Sequence, residues 1–385
     1  MKNKTTILLL FLITACLIIA CDKNKDSDIE SLKKDALTQY AKIVLASYDD
    51  SYNTALSFKQ TVDAFLASPT AAGFQACKDA WLAARVPYNQ TDAYRFYAGP
   101  IDDADGPEGF LNAWPVDEAF IDYVQGNPNA GIINNPGAQP VISKQLLIGL
   151  NELFSEASIF TGYHAIEFLL WGQDLNTGGP GTRPYTDFVT GSGGTAANQD
   201  RRGQYLQVAT ELLLDNLNQI RQEWQPDAAY PQELLNSNPI KESIGLVFLG
   251  LKEFTRNELA GERMFVAIDT KDQEHEHSCF SDDTTNDLRN NLQGVKNVYF
   301  GTYKKVDGST LSGRSFSDLA ETIDRSKADA TRVAFVDAEA KVNAIPAPFD
   351  QTIVNNAASV TVAIDALRTL SNRLVEVGIA VGAEF

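Results

Sequence analysis

Histidine is nearly absent from this chain: three occur in 385 residues, at positions 164, 275 and 277. Cysteine is almost as scarce, with four, and methionine scarcer, with two. There is no HExxH, which excludes the usual zinc-peptidase arrangement, and no CxxC, which excludes a zinc ribbon or a thioredoxin-like redox pair. No serine sits in a nucleophile elbow and no phosphate-binding glycine loop follows a strand, so serine-hydrolase chemistry and nucleotide binding have no support. Positive charge is also short, with 32 Lys and Arg against 50 Asp and Glu and a formal net charge of −18. Nucleic acid is therefore not a partner expected for the body of the protein, while cations are attracted. Solubility alone accounts for that charge equally well.

Long apolar runs are missing as well, apart from one. Lys2 and Lys4 precede Ile7–Ala20, "ILLLFLITACLIIA", which ends at Cys21. The run is short for a spanning helix and is placed like a secretory signal. "LIIAC" resembles a bacterial lipobox, so residues 1–21 read as a lipoprotein signal, Cys21 as the acylated (palmitate-bearing) anchor and 22–30 as a polar tether. The expected location is the bacterial cell envelope, on the outer membrane facing the periplasm or the cell surface, with the lipid bilayer met through the acyl anchor. Export permits a disulfide between the two remaining cysteines, Cys77 and Cys279, and two buried free thiols are the alternative.

What is present is helical period. Residues 29–66 place Leu32, Ala36, Tyr40, Ile43, Val44, Ser47, Tyr48, Ala55 and Phe58 at helical spacing. Further helices are expected over 70–97 with Pro87 inside, 143–171, 200–223, 239–268 and two stretches near the end. The 99–143 segment is dense in Gly, Pro, Asn and Asp and holds at most short helices, such as 117–124; 270–317 reads as polar and broken. No sheet is expected. The fold class is all-α: two helical bundles, 31–185 and 186–385, divided where Gly and Thr concentrate at 176–199, with the logic of a duplicated four-helix bundle.

Chemistry concentrates in "TGYHAIEFLLWGQD". His164 and Glu167, at i and i+3, share one side of a helix on the stripe of Phe160 and Phe168. A buried carboxylate needs a partner or a cation. The pair is either two converging metal ligands or a satisfied core contact; a ligand role requires that it open onto a cavity. Gly162 suits a close approach to the backbone, a helix crossing or a kink. Asp102, Asp103, Asp105 and Glu108 lie in a loop that can fold over the bundle and complete a ligand shell. Trp81, Arg85, Tyr88, Asp92 and Arg95 share a helix face and suit internal ion pairs. "DQEHEHSCFSD" mixes His275 and His277 with Glu274, Glu276 and Asp282, which suits either weak metal binding or a loop rim packed by Cys279 and Phe280. Arg201 and Arg202 open a helix where the dipole does not favour them and are expected to pair with acids elsewhere.

"WLAARVPYNQTDAYRFYAGPID", "GPEGFLNAWPVDEAFIDYV", "TGYHAIEFLLWGQD", "RRGQYL", "ELAGERM" and "EHSCFSDDT" together resemble the blocks of the imelysin-like family, the iron-regulated protein A group of peptidase family M75. Its GxHxxE hallmark is intact at Gly162, His164 and Glu167. His275 stands where the family has an acid, and Thr285 where a histidine is common. The resemblance implies two helical bundles with the site near their junction, and an exported protein linked to iron acquisition. On that basis the expected function is binding of iron, zinc, another divalent cation or a metal complex. His164 and Glu167 would be inner ligands, with Asp102 or Glu108 completing the shell. Gly162, Arg85, Tyr88 and Arg95 would support them, and Glu262 and Arg263 would form the opposing wall. An envelope iron transporter is the partner implied. The alternatives are a metallopeptidase using His164 and Glu167, and a non-catalytic scaffold.

Overall fold

The computed structural model describes residues 3–176 and 178–385, with side chains from Ser27 onward. The acylation expected at Cys21 lies outside the described side chains. Helix α1 (Asn3–Ala67) buries Leu37, Tyr40, Val44, Tyr48, Ala55, Phe58, Val62 and Phe65, a stripe stepping by three, four and seven. Ser68 and Pro69 end it. The Thr70 hydroxyl then caps helix α2 (Ala71–Thr91) by accepting from the Gly73 N–H at 3.0 Å. After α3 (Lys144–Leu150) and α4 (Gly162–Trp171) comes α5 (Gln199–Glu223). It follows the boundary read at 185/186, yet packs on α1 and α4 of the first half.

The second half holds α6 (Ile240–Glu253), a wide π-helical segment (Phe254–Phe265), α7 (Thr284–Phe300), α8 (Phe316–Ile323), α9 (Arg325–Asn343), α10 (Phe349–Asn355) and α11 (Ala357–Val381). α11 packs on α6, α9 and the π-helical segment. α1 also touches α6 and α8, and α7 lies along α2. These contacts join the halves over one continuous core, and the α2–α7 seam positions the site. The fold is all-α, as the sequence indicates, and among the described residues no helix is long and apolar enough to cross a membrane.

Three expectations are corrected. The helix read over 143–171 is two helices. Between them the Asn151 side chain accepts from Phe160 N at 2.9 Å and donates to Gly109 O at 2.9 Å, pinning a loop. The 270–317 region is not simply broken, because it contains α7. Its polar Asp287 and Asn291 are buried among Leu288, Leu292, Val295 and Val298, and so mask the apolar period. A small antiparallel hairpin also exists, pairing Thr302–Lys304 with Thr310–Ser312. Cys77 and Cys279 are both free thiols, and burial pushes Cys77 up to about 12.

Candidate functional site

α4 begins at Gly162 with φ of +82°, a conformation that favours glycine. A Cβ there would lie 2.5 Å from the Leu111 carbonyl oxygen. The close approach is therefore made by the chain's own helical turn at Glu108–Leu111, which brings Asn112 to the site. One turn into α4, His164 Nδ1 and Glu167 Oε2 are hydrogen-bonded at 2.8 Å. Glu167 Oε1 accepts from the Ser281 N–H at 2.9 Å and from its hydroxyl at 2.7 Å. His164 is 2% exposed and Glu167 0%. Burial pushes the Glu167 carboxyl up to about 8 and the His164 imidazole well below its usual value. His164 Nε2, also buried, has no hydrogen-bond partner.

The nearest ring is His277, edge to face with its centroid 4.7 Å away. His277 Nδ1 meets Asp287 Oδ2 at 2.7 Å, and its Nε2 meets Asn112 Nδ2 at 3.3 Å. Because an amide nitrogen only donates, His277 Nε2 is the acceptor and Nδ1 carries the proton. Asp287 is further held by the Ser278 hydroxyl at 2.6 Å, Arg85 Nη2 at 3.2 Å and the Asn89 amide. Each imidazole thus has a carboxylate behind its Nδ1. This is the arrangement by which proteins orient histidines that ligate metals through Nε2.

The other expected residues divide between this network and a neighbouring cleft. Arg85 is fully buried, donating to Asn112 Oδ1 at 2.6 Å and lying over the Tyr163 ring at 5.0 Å. Tyr88 packs on Tyr163 with a centroid separation of 4.7 Å. The cleft, about 330 Å³, is lined by Glu108, Glu152, Glu156, Glu258 and Glu262, with Arg95, His275, Trp114 and Asn112. Arg95 pairs with Glu108 at 2.9 Å. Glu262 lines the cleft, whereas Arg263 turns inward to Asp92 at 2.8 Å and Glu258 at 2.9 Å. Asp102 is bound to the Phe96 N–H and does not line the cleft, so it is not brought to His164.

The expectation that His164 and Glu167 open directly onto a cavity is not met. They are enclosed, bonded to each other, and neither lines the cleft. Among the described residues, no three His, Cys, Asp or Glu side chains are gathered as a ready metal cage. His164 Nε2 is left without a partner, as are Arg85 Nε and Asn89 Oδ1 in the same network; Asn112, bonded to His277, lines the cleft. Sequence reasoning placed His277 only in a weak loop site and did not single out Asp287, Asn112 or Ser281. The residues of the "HEH" stretch do not form one site but separate. His275 goes to the cleft, His277 to the buried pair and Glu276 to a different environment. Asp287 and Asn291, polar residues at helical spacing with Leu288, Leu292, Val295 and Val298, were the signal available.

The sequence matches the family described as Imelysin, peptidase family M75, over residues 44–374. A curated relative, "Iron-regulated protein A" of Synechococcus elongatus, is 27% identical over 276 residues, covering 69% of this chain and 63% of that protein. This chain therefore spans less than two thirds of that relative's length. Among solved structures, a candidate iron-regulated protein A precursor from Parabacteroides distasonis aligns with a TM-score of 0.71 at 18% identity, over 91% of this chain and 95% of that one. An imelysin-like protein from Psychrobacter arcticum aligns with a TM-score of 0.59 at 14% identity, over 89% and 93%. At those identities the likeness establishes the fold.

Proposed function

The chain belongs to the imelysin family, and from that premise we propose that it is a lipid-anchored envelope protein of the iron response that binds a divalent metal ion. The relative named for iron regulation supports the iron link, and the lipobox-like "LIIAC" supports the anchor. The observation that carries metal binding is His164 Nε2, a buried nitrogen with no partner, set 4.7 Å ring to ring from His277. His164 and His277 would hold the ion through Nε2, and two nitrogen donors suit iron or zinc. Glu167 stands behind His164 rather than beside it, since one oxygen is bonded to Nδ1 and the other to Ser281. At neutral pH the raised Glu167 carboxyl holds its proton against His164 Nδ1, which leaves the neutral ring protonated at Nε2; on binding, the Nε2 proton would leave and the shared proton would pass to Nδ1, with Glu167 becoming the carboxylate that accepts from it.

The acidic cleft is the route. Its glutamates outnumber Arg95 and raise the local concentration of cations. Asn112, bonded to both Arg85 and His277, closes the passage and must swing aside. Metal content of tag-free protein, purified without chelator, tests this. Near-stoichiometric iron or zinc is expected in the wild type, and its loss in both H164A and H277A with helicity retained. Equal metal in wild type and both variants, or none in the wild type, contradicts it.

A further inference from the structure

The turn that follows α3 holds two large apolar side chains in water: Leu153 is 62% exposed and Phe154 60%. Apolar residues scattered singly over a surface need no explanation, but these two are adjacent and their turn is fastened. Glu152 N donates to the Ser158 carbonyl at 2.8 Å, and the Ser158 hydroxyl accepts from the Phe154 and Ser155 N–H groups, each at 3.1 Å. Glu152 takes a φ of +57°, a left-handed conformation that costs a non-glycine residue free energy. The Phe154 ring stacks on Phe120 with centroids 5.5 Å apart and 4° between planes, and Phe120 rests on the buried Phe160 at 6.0 Å. The tip is therefore set in place from the core outward. Around it the charge has one sign. Glu152 and Glu156 are exposed on the turn, and so is Asp117, whose N–H donates to the Ala157 carbonyl at 2.8 Å. Between Arg95 and Arg183 the only Lys or Arg in the sequence is Lys144, and Asp215 engages it at 2.6 Å. Glu152 and Glu156 also line the acidic cleft, which puts the tip at its edge.

We propose that the Leu153–Phe154 tip is the docking site for another protein of the envelope, one that presents an apolar hollow rimmed by lysine or arginine. An apolar centre with a polar rim is the anatomy of a protein interface. A tip already held in one conformation loses little freedom when it is buried, so more of its apolar contact appears as affinity. The flanking acids choose the partner: they attract a basic rim and repel a surface of their own sign. A second copy of this chain, with its net charge of −18, and an anionic lipid surface both meet that repulsion. A partner seated on the tip would cover the edge of the cleft. The inference goes beyond metal binding and does not rest on the histidine pair.

The test uses a photo-crosslinking residue as the probe. The full chain is made in its own cells as Phe154→p-benzoylphenylalanine, with Val336→p-benzoylphenylalanine on the exposed side of α9 as the control. Illumination should join one other protein to position 154 and not to position 336. That protein is identified by mass spectrometry, purified, and titrated with the wild-type chain by calorimetry. L153S and F154S should each weaken its binding at least about tenfold with helicity unchanged. E156Q should slow association at low salt and leave it nearly unchanged at high salt. H164A should bind the partner as the wild type does, which separates this surface from the histidine pair. No crosslink from position 154, crosslinks only to lipid or to a second copy of the chain, or wild-type affinity in both L153S and F154S overturns the proposal.

Discussion

Asp122 and Glu276 are both buried carboxylates in this molecule, and their surroundings are opposite. Asp122 is 0% exposed and receives Arg202 Nε at 2.6 Å, Arg202 Nη2 at 2.9 Å and Arg183 Nη1 at 2.7 Å. Burial works to raise its pKa, but the two guanidinium groups win and hold it below the usual value. Glu276 is as deeply buried, is acted on by other acids and the Thr284 hydroxyl with no cationic side chain among them, and is pushed up. The first is a finished structural joint tying the 99–143 excursion to α5, and Arg201 adds to it by donating to the Ile133 and Gln139 carbonyls. The second, like His164 Nε2, is unfinished within the protein itself. Burial is common to both, so burial alone does not mark function.

The largest effect should come from breaking the finished joint. R202M leaves Asp122 buried with one guanidinium fewer, and a loss of about 3–5 kcal/mol in urea unfolding is expected. A loss under about 1 kcal/mol would show that the joint is not structural. The joint also has a pH signature. Asp122 has a depressed folded pKa, so its stabilisation is full above the unfolded value near 3.8 and vanishes as pH falls through the folded one. The stability gap between wild type and D122N should therefore shrink on acidification from neutral pH to below about 4; a constant gap would contradict the assignment.

G162A comes next. Alanine at φ +82°, facing Leu111 O at 2.5 Å, should cost about 1–3 kcal/mol. It should also displace Asn112 and loosen the closure over His277, visible as faster exchange of the His277 ring signals in NMR. Unchanged stability would mean that the 108–111 turn does not rest on α4. The smallest effect belongs to Glu276: E276Q should match wild type or exceed it by up to about 1 kcal/mol, since no cationic partner is lost and the glutamine can still accept from Thr284. A clear destabilisation there would reveal a partner that Glu276 does have.

The same contrast explains what the sequence made legible. Helices with clean apolar periods, such as α1 and α5, could be read directly, as could the acid partners of Arg202 as a class. α7 was hidden because the face it buries is partly polar, Asp287 and Asn291 taking places that apolar residues usually fill. The GxHxxE motif placed half of the site. Its other half comes from a loop more than a hundred residues later, and spacing within one helix carries no information about which distant side chain meets it. The i, i+3 geometry that puts Glu167 beside His164 allows either two converging ligands or a bond between the two side chains, and it is the bond that forms.

The central claim is that His164 and His277 hold a metal between their Nε2 atoms. A crystal structure of the protein loaded with zinc or ferrous iron, with diffraction measured on both sides of the metal absorption edge, tests it most directly. The account predicts one strong anomalous peak within bonding distance of both Nε2 atoms, with Asn112 rotated away from His277. Metal peaks found only among the cleft glutamates, with His164 and His277 still packed edge to face, would contradict it.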